Sequence, residues 1–341
     1  MTILEFQRKL SAKYVFADQV ARDLYSAFQT KRHIILWGPG GHAKSAMAEE
    51  AIKLFMPDPS KFYEDTYMAS CSARMDASPF TGYVDIKKFR EEGKHHTVLD
   101  DTVFVQSEYA ILEEGFDAPD DLLLSLKDGL QRGYICVNGK CVKNKLKSLV
   151  VCTNVDPKEW AGEDLSRNAL LGRFAFQLKV EWPAYTTKEF GEMFGAIGTP
   201  DLVVSEMAAR CHTSGFKISP RDAVMMKQIY DTVGVEALQN FRGMTPTAFT
   251  NIKAFVASIP YIKQIEELEG LLAEAREAAT DDEIKKKLFQ FRVLQGKLKK
   301  IPEDGLYSGK LKTLLVEFRT LQDDLLNPKR PEAIKNLMNR L

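Results

Sequence analysis

Gly38-Pro39-Gly40-Gly41-His42-Ala43-Lys44-Ser45 separates two segments of opposite character. Upstream, His33 to Trp37 is a short apolar run with the length of a buried strand. Downstream, Ser45 to Phe55 has helical periodicity and stops before Met56-Pro57-Asp58-Pro59, because proline disfavours helix at the residue preceding it. A glycine-rich turn between strand and helix lets backbone N–H groups cradle phosphate, helped by the positive end of the helix dipole. Lys44 would reach the β- and γ-phosphates of ATP, and Ser45 would offer its hydroxyl to Mg2+. Gly38, Pro39, Gly40, Gly41, His42, Ala43, Lys44 and Ser45 are therefore the candidate nucleotide-binding residues. Against the pattern G-x-x-x-x-G-K-[ST], Ala43 stands where a second glycine is expected, and its methyl group should weaken or slow binding without abolishing it. The competing reading is a glycine-rich connection with an incidental Lys-Ser.

The same alternation continues outward. Apolar strand candidates end at Leu112 and Cys152, a fourth spans Phe174 to Val180, and helical stretches separate them, so the expected class is α/β: a parallel sheet with helices on both faces. An N-terminal helix is expected from about Phe16 to Phe28. Tyr134 to Val142 predicts a β-hairpin turning at Asn138-Gly139, with Cys136 opposite Cys141. Residues 1–186 are expected to form this core, and the helical stretch 187–260 a small lid. Residues 261–341 then form a C-terminal helical segment. There Ile265, Leu268, Leu272, Ala275 and Ala279 make a coiled-coil seam. Thr280 to Glu283 caps a helix carrying Ile284, Leu288, Phe291 and Leu298, a further helix covers Leu311 to Leu326, and Pro331 opens a last one.

Composition narrows the function classes. A chain of 341 residues, against a prior of about 150 per domain, suggests roughly two domains. Lys and Arg number 47 and so do Asp and Glu, so no overall charge advertises nucleic acid or a membrane surface. The first ten residues lack a signal peptide's apolar core and no run approaches the ~20 apolar residues of a membrane span, so a cytoplasmic location is expected. Five scattered cysteines fit reduced thiols better than a disulfide framework, Cys136 and Cys141 included.

Glu108-Tyr109-Ala110-Ile111-Leu112-Glu113-Glu114 is an apolar run ending in paired carboxylates, where a nucleotide-hydrolysing site needs one acid for the metal and one to activate water. Glu113 is assigned to Mg2+ and Glu114 to the base. Ser148-Leu149-Val150-Val151-Cys152-Thr153-Asn154 is a strand ending in a polar amide. With Ala169-Leu170-Leu171-Gly172-Arg173-Phe174, Ser219-Pro220-Arg221, the Asn138-Gly139 hairpin and an insertion at Ser78 to His96, the chain resembles AAA+ ATPases over about residues 12–258, and among them the MoxR-like branch with its RavA-type chaperones. The resemblance implies Asn154 as sensor 1, Arg221 as sensor 2 and Arg173 as the arginine finger, with Arg167 the competing finger. It further implies ATP hydrolysis with Mg2+, a homo-oligomeric ring (a hexamer on the family pattern), a protein client and a von Willebrand A-domain partner. Ala43 and Glu113, the latter in place of an aspartate, depart from the pattern and put efficient turnover in question. Two alternatives remain beside it: a nucleotide-binding scaffold acting through the C-terminal helices, and a DNA-remodelling motor resting on Lys140, Lys143, Lys145 and Lys147. Interleaved charge signs after Tyr261 argue against a nucleic-acid arm there.

Overall fold

In a computed structural model of the chain, five strands pair in parallel: β1 (His33–Trp37), β2 (Thr66–Ser70), β3 (Tyr109–Glu113), β4 (Ser148–Thr153) and β5 (Phe174–Lys179), in the order β2-β3-β4-β1-β5. The structure describes residues 1–93, 96–99, 102–137, 140–182, 185–278, 280–298 and 308–326. The hairpin turn at Asn138-Gly139, Ala279 of the seam and Pro331 lie outside the described residues.

Burial explains which strands were legible. In β1, β3 and β4 successive residues are buried on both faces, so they appear in the sequence as unbroken apolar runs. Alternate side chains feed two cores. Ile34, Leu36, Ile111, Val150 and Cys152 pack with helices α1 (Ile3–Ser11), α2 (Asp18–Thr30) and α3 (Lys44–Phe55). Ile35, Ala110, Leu112, Leu149 and Val151 pack on the opposite face with α4 (Asp120–Arg132) and α5 (Leu165–Leu171). The expected α/β class, a parallel sheet wrapped on both faces, is what the chain adopts. Edge strand β2, whose burial alternates, was not anticipated. Neither was α1, although Thr2 and Glu5 form a capping box at its start.

The register is set by the central strands. Ile34 to Trp37 of β1 lie beside Val150 to Thr153 of β4, and Glu113 of β3 lies beside Cys152. Buried His33 ties three elements together. The Leu149 N–H donates to its Nδ1 at 3.1 Å, which leaves the proton on Nε2, 3.0 Å from the Leu130 carbonyl.

By internal contacts the chain divides into two compact units, Met1–Ala209 with Lys217–Gln228, and Arg210–Phe216 with Ile229–Leu341. The first unit holds the sheet, α6 (Thr187–Ala196) and most of α7 (Leu202–Thr213) and α8 (Pro220–Val233). The second contains α9 (Pro246–Glu277), α10 (Asp281–Leu298) and α11 (Ser308–Leu326). Helix α9 continues without a break through Tyr261, where the sequence pattern changes. Ile265, Leu268, Leu272 and Ala275 of the seam are buried against Ile284, Leu288, Phe291 and Leu294, with Phe291 stacked on Phe318 at 4.4 Å.

One expectation is corrected. Cys136 and Cys141, anticipated as reduced thiols, are joined by a disulfide. The strands Tyr134–Val137 and Lys140–Lys143 pair antiparallel with these two residues directly opposite, close enough for the bond to close. Cys71, Cys152 and Cys211 are unpaired and buried. Among the described residues, no helix is long and apolar enough to cross a membrane.

Candidate functional site

The site lies at the carboxyl ends of β1, β3 and β4, which neighbour one another because β4 is inserted between the other two. The phosphate loop leaves β1 at Gly38, whose N–H donates to the Thr153 carbonyl at 3.2 Å. Only glycine fits at that position. Its φ is +138°, and a Cβ would come within 2.4 Å of the Val180 carbonyl oxygen. Gly41, at φ +81°, is pressed as closely against the Ser219 hydroxyl. Ser219 is in turn fixed by Asp222, whose carboxylate accepts its hydroxyl at 2.7 Å.

Lys44 is buried and uses its ammonium three ways: 2.8 Å to the Gly38 carbonyl, 2.9 Å to the Pro39 carbonyl and 2.8 Å to Asn154 Oδ1. The Asn154 amide nitrogen lies 2.9 Å from both carboxylate oxygens of Glu114. A continuous chain Lys44–Asn154–Glu114 thus crosses three adjacent strand ends. Burial pulls the Lys44 pKa below its ordinary value, Arg221 pulls it the same way, and Glu114 opposes them.

Ser45 lies near the thiol of Cys152, the residue beside Glu113 in the sheet, and acts on it electrostatically. Burial pushes the Cys152 thiol up to about 12, so it stays protonated beside the Ser45 hydroxyl. Glu113 and Glu114 both act on that thiol and oppose its ionisation. A hydroxyl and a carboxylate are oxygen donors suited to Mg2+, a cation that completes its shell from phosphates and water. Among the described residues, no group of three or more His, Cys, Asp or Glu could hold a metal by itself, and this donor set requires none.

Arg221 reaches the loop through its backbone, its N–H donating to the Gly41 carbonyl at 3.3 Å. The two other arginines differ sharply. Arg167 is engaged within its own chain: it pairs with Asp120 at 2.7 Å, donates to the Trp160 carbonyl at 2.8 Å and lies over the Trp160 ring. Arg173 makes one bond to the Ala169 carbonyl at 3.1 Å.

Beside the loop opens a cavity of about 480 Å3 that the sequence did not disclose. Its walls include Phe16, Val20, Met47, Trp182, Met193 and Val224, with Arg221 and the backbone of Gly41 to Ala43 at the loop side. Phe16 meets Trp182 edge-to-face at 5.7 Å. An apolar slot adjoining a phosphate loop suits a planar base. The position of Trp182 at a strand end is its one sequence signal, and it reads more readily as core or a domain interface than as a stacking platform.

No family model and no curated protein matches the sequence. Similar solved structures include a closed-state cryo-EM reconstruction of Hsp104 with ATPγS and FITC casein, at 13% identity over 70% of this chain and 48% of that one, TM-score 0.47. An S. cerevisiae Hsp104–ADP complex shows 13% identity, the same coverage and a TM-score of 0.43. A Cytophaga hutchinsonii protein named as a candidate ATPase shows 12% identity over 73% of this chain and 86% of that one, TM-score 0.38. The chain spans about half the length of the Hsp104 chains it matches.

Proposed function

We propose that the chain is an ATP-hydrolysing AAA+ protein of the MoxR-like kind, assembling as a ring, a hexamer on the family pattern, and remodelling a client protein. The observation that carries the reading is the hydrogen-bonded chain Lys44–Asn154–Glu114 at the open end of the phosphate loop. Lys44 would bind the γ-phosphate, Asn154 would orient the attacking water, and Glu114 would accept its proton. Because all three Lys44 donors are in use, an arriving phosphate oxygen competes with Asn154 Oδ1 for the ammonium. That competition loosens the amide that also holds Glu114. Ser45 and Glu113 would hold Mg2+, which neutralises phosphate charge when bound. Arg221 would face the phosphates from the helical segment. Arg173 is favoured as the finger acting on a neighbouring subunit, since Arg167 is tied to Asp120 and Trp160. A von Willebrand A-domain protein is the partner class the same reading supplies.

One observation favours a second reading, a nucleotide-binding scaffold with little turnover: Asn154 occupies both oxygens of the carboxylate needed as base. Steady-state ATP hydrolysis across protein concentrations separates the two. For the first reading, turnover per protomer rises with concentration, Lys44→Ala and Arg173→Ala abolish it, and Arg167→Ala retains it wherever that variant is folded. ATP binding without turnover at any concentration would leave the scaffold.

A further inference from the structure

Four consecutive carbonyls of the phosphate loop are each occupied by a donor from within the chain. Lys44 Nζ takes those of Gly38 and Pro39, His42 Nδ1 lies 3.1 Å from that of Gly40, and the Arg221 N–H takes that of Gly41. In a trans peptide the C=O and the next N–H point in opposite directions, so fixing the Gly40 carbonyl also fixes the direction of the Gly41 N–H. The Gly40–Gly41 peptide is the weak link. A peptide flip changes ψ of the first residue and φ of the second, and here both are glycine, so side-chain sterics do not oppose it.

Resting on the nucleotide-binding reading above, we infer that His42 is the positioning residue that sets the Gly40–Gly41 peptide for phosphate binding, with Tyr185 holding the far side of its ring. A carbonyl is acceptor only, so Nδ1 must carry the proton to bond Gly40. In the neutral ring Nε2 is then an acceptor, and the Tyr185 hydroxyl, 2.9 Å away, donates to it. The opposite tautomer would set two lone pairs against each other at Gly40. His42 is 5% exposed, and burial lowers its pKa, with Lys44 acting the same way and the bond to the Gly40 carbonyl and Glu181 opposing. It therefore serves as a neutral, one-way donor. Tyr185 lies just before α6, whose Phe190 packs on Trp182, so the same bond ties the loop to the connection that follows β5.

The test is calorimetric titration of ATP with Mg2+ into wild type, His42→Leu, His42→Asn and Tyr185→Phe, together with 15N NMR of the His42 ring in the nucleotide-free protein. Asparagine places an N–H where Nδ1 stands and cannot reach Tyr185. His42→Leu should weaken ATP roughly tenfold, the size of one lost buried hydrogen bond. His42→Asn should stay within about threefold of wild type, since it keeps that bond. The ring should be protonated on Nδ1 in wild type and also in Tyr185→Phe, because the Gly40 carbonyl alone requires that proton. A ring protonated on Nε2 in wild type overturns the inference, as does His42→Asn binding as weakly as a folded His42→Leu. If His42→Leu does not fold, the asparagine titration and the ring spectra still decide. A wild type that binds no ATP overturns the nucleotide reading itself, and the ring spectra, which need no nucleotide, tell that failure apart.

Discussion

Replacing Ala43 by glycine should stabilise the protein, although glycine is ordinarily the worse residue inside a helix. Ala43 precedes α3 with φ +58° and ψ +23°, in the left-handed region, and its side chain makes no capping bond. A left-handed L-residue costs about 1–2 kcal/mol relative to the right-handed form. Glycine removes that cost but gives the unfolded chain more freedom, which returns about 0.4–1 kcal/mol. The net gain then lies between about 0 and 1.6 kcal/mol, centred on about 0.8, in favour of Ala43→Gly. Ala46 supplies the control, because it is exposed within the right-handed body of the same helix. There the identical change should cost about 1 kcal/mol. Urea unfolding followed by circular dichroism, with the slope of free energy against urea held constant, reads both variants. Opposite signs three residues apart are the expected outcome. If Ala43→Gly unfolds at the same or lower urea than wild type, the strain assigned to this position is wrong. The earlier expectation that the Ala43 methyl simply intrudes on phosphate is a different idea, in which Ala43→Gly raises ATP affinity and leaves stability unmoved.

Acid should destabilise the fold through His33. Burial holds its folded pKa below the ordinary histidine value, so the unfolded chain binds the proton first as pH drops below about 6.5. The stability is complete above that pH and is lost as pH falls toward the folded pKa. His42 contributes with the same sign. Wild type should therefore lose more urea resistance between pH 7.5 and 5.5 than His33→Gln does, and equal losses would remove His33 from the account. Thiol labelling tests the hairpin: maleimide should modify no cysteine in the native oxidised protein, two after mild reduction, and all five of the chain only after reduction and unfolding. Labelling of two exposed thiols without reductant would show the disulfide to be absent.

The sequence carried the sheet's centre and one edge, β5, and lost the other edge, β2. Strands buried on both faces have no polar alternation to confuse with a loop, so His33 to Trp37 and Ser148 to Thr153 were legible as apolar runs. Thr66 to Ser70 exposes alternate side chains at the sheet edge and resembles any mixed segment. Lys44, Glu114 and Asn154 were foreseeable because each terminates an apolar strand or opens a helix, positions that the backbone alone directs to one end of the sheet. Tyr185 and Cys152 were not. Their roles depend on which residue faces them across the fold, His42 in one case and Ser45 in the other, and no local pattern encodes that pairing. The cavity was hidden for the same reason, since its walls come from segments as distant as Phe16, Trp182 and Val224.

Backbone strain supplies an independent argument that this end of the sheet is where the molecule acts. Among the described residues, four other than glycine have positive φ: Phe16, Lys31, Ala43 and Glu114. Lys31 is an ordinary helix C-cap, its N–H bonded back to Ala27 and Phe28. The other three all belong to the site, one in the cavity wall, one in the phosphate loop and one bearing the proposed base. Each such residue costs roughly 1–3 kcal/mol and persists only where its surroundings over-determine it. The restraints can be named. Trp182 meets the Phe16 ring, Lys44 and Ser219 brace the loop around Ala43, and Asn154 holds both oxygens of Glu114. Those restraining groups are the ones a nucleotide would engage, through its base, its phosphates and the attacking water. Binding would therefore act on strained positions through the contacts that hold them. If the chain works as proposed, these strained positions would give it a physical route from an occupied site to a changed backbone.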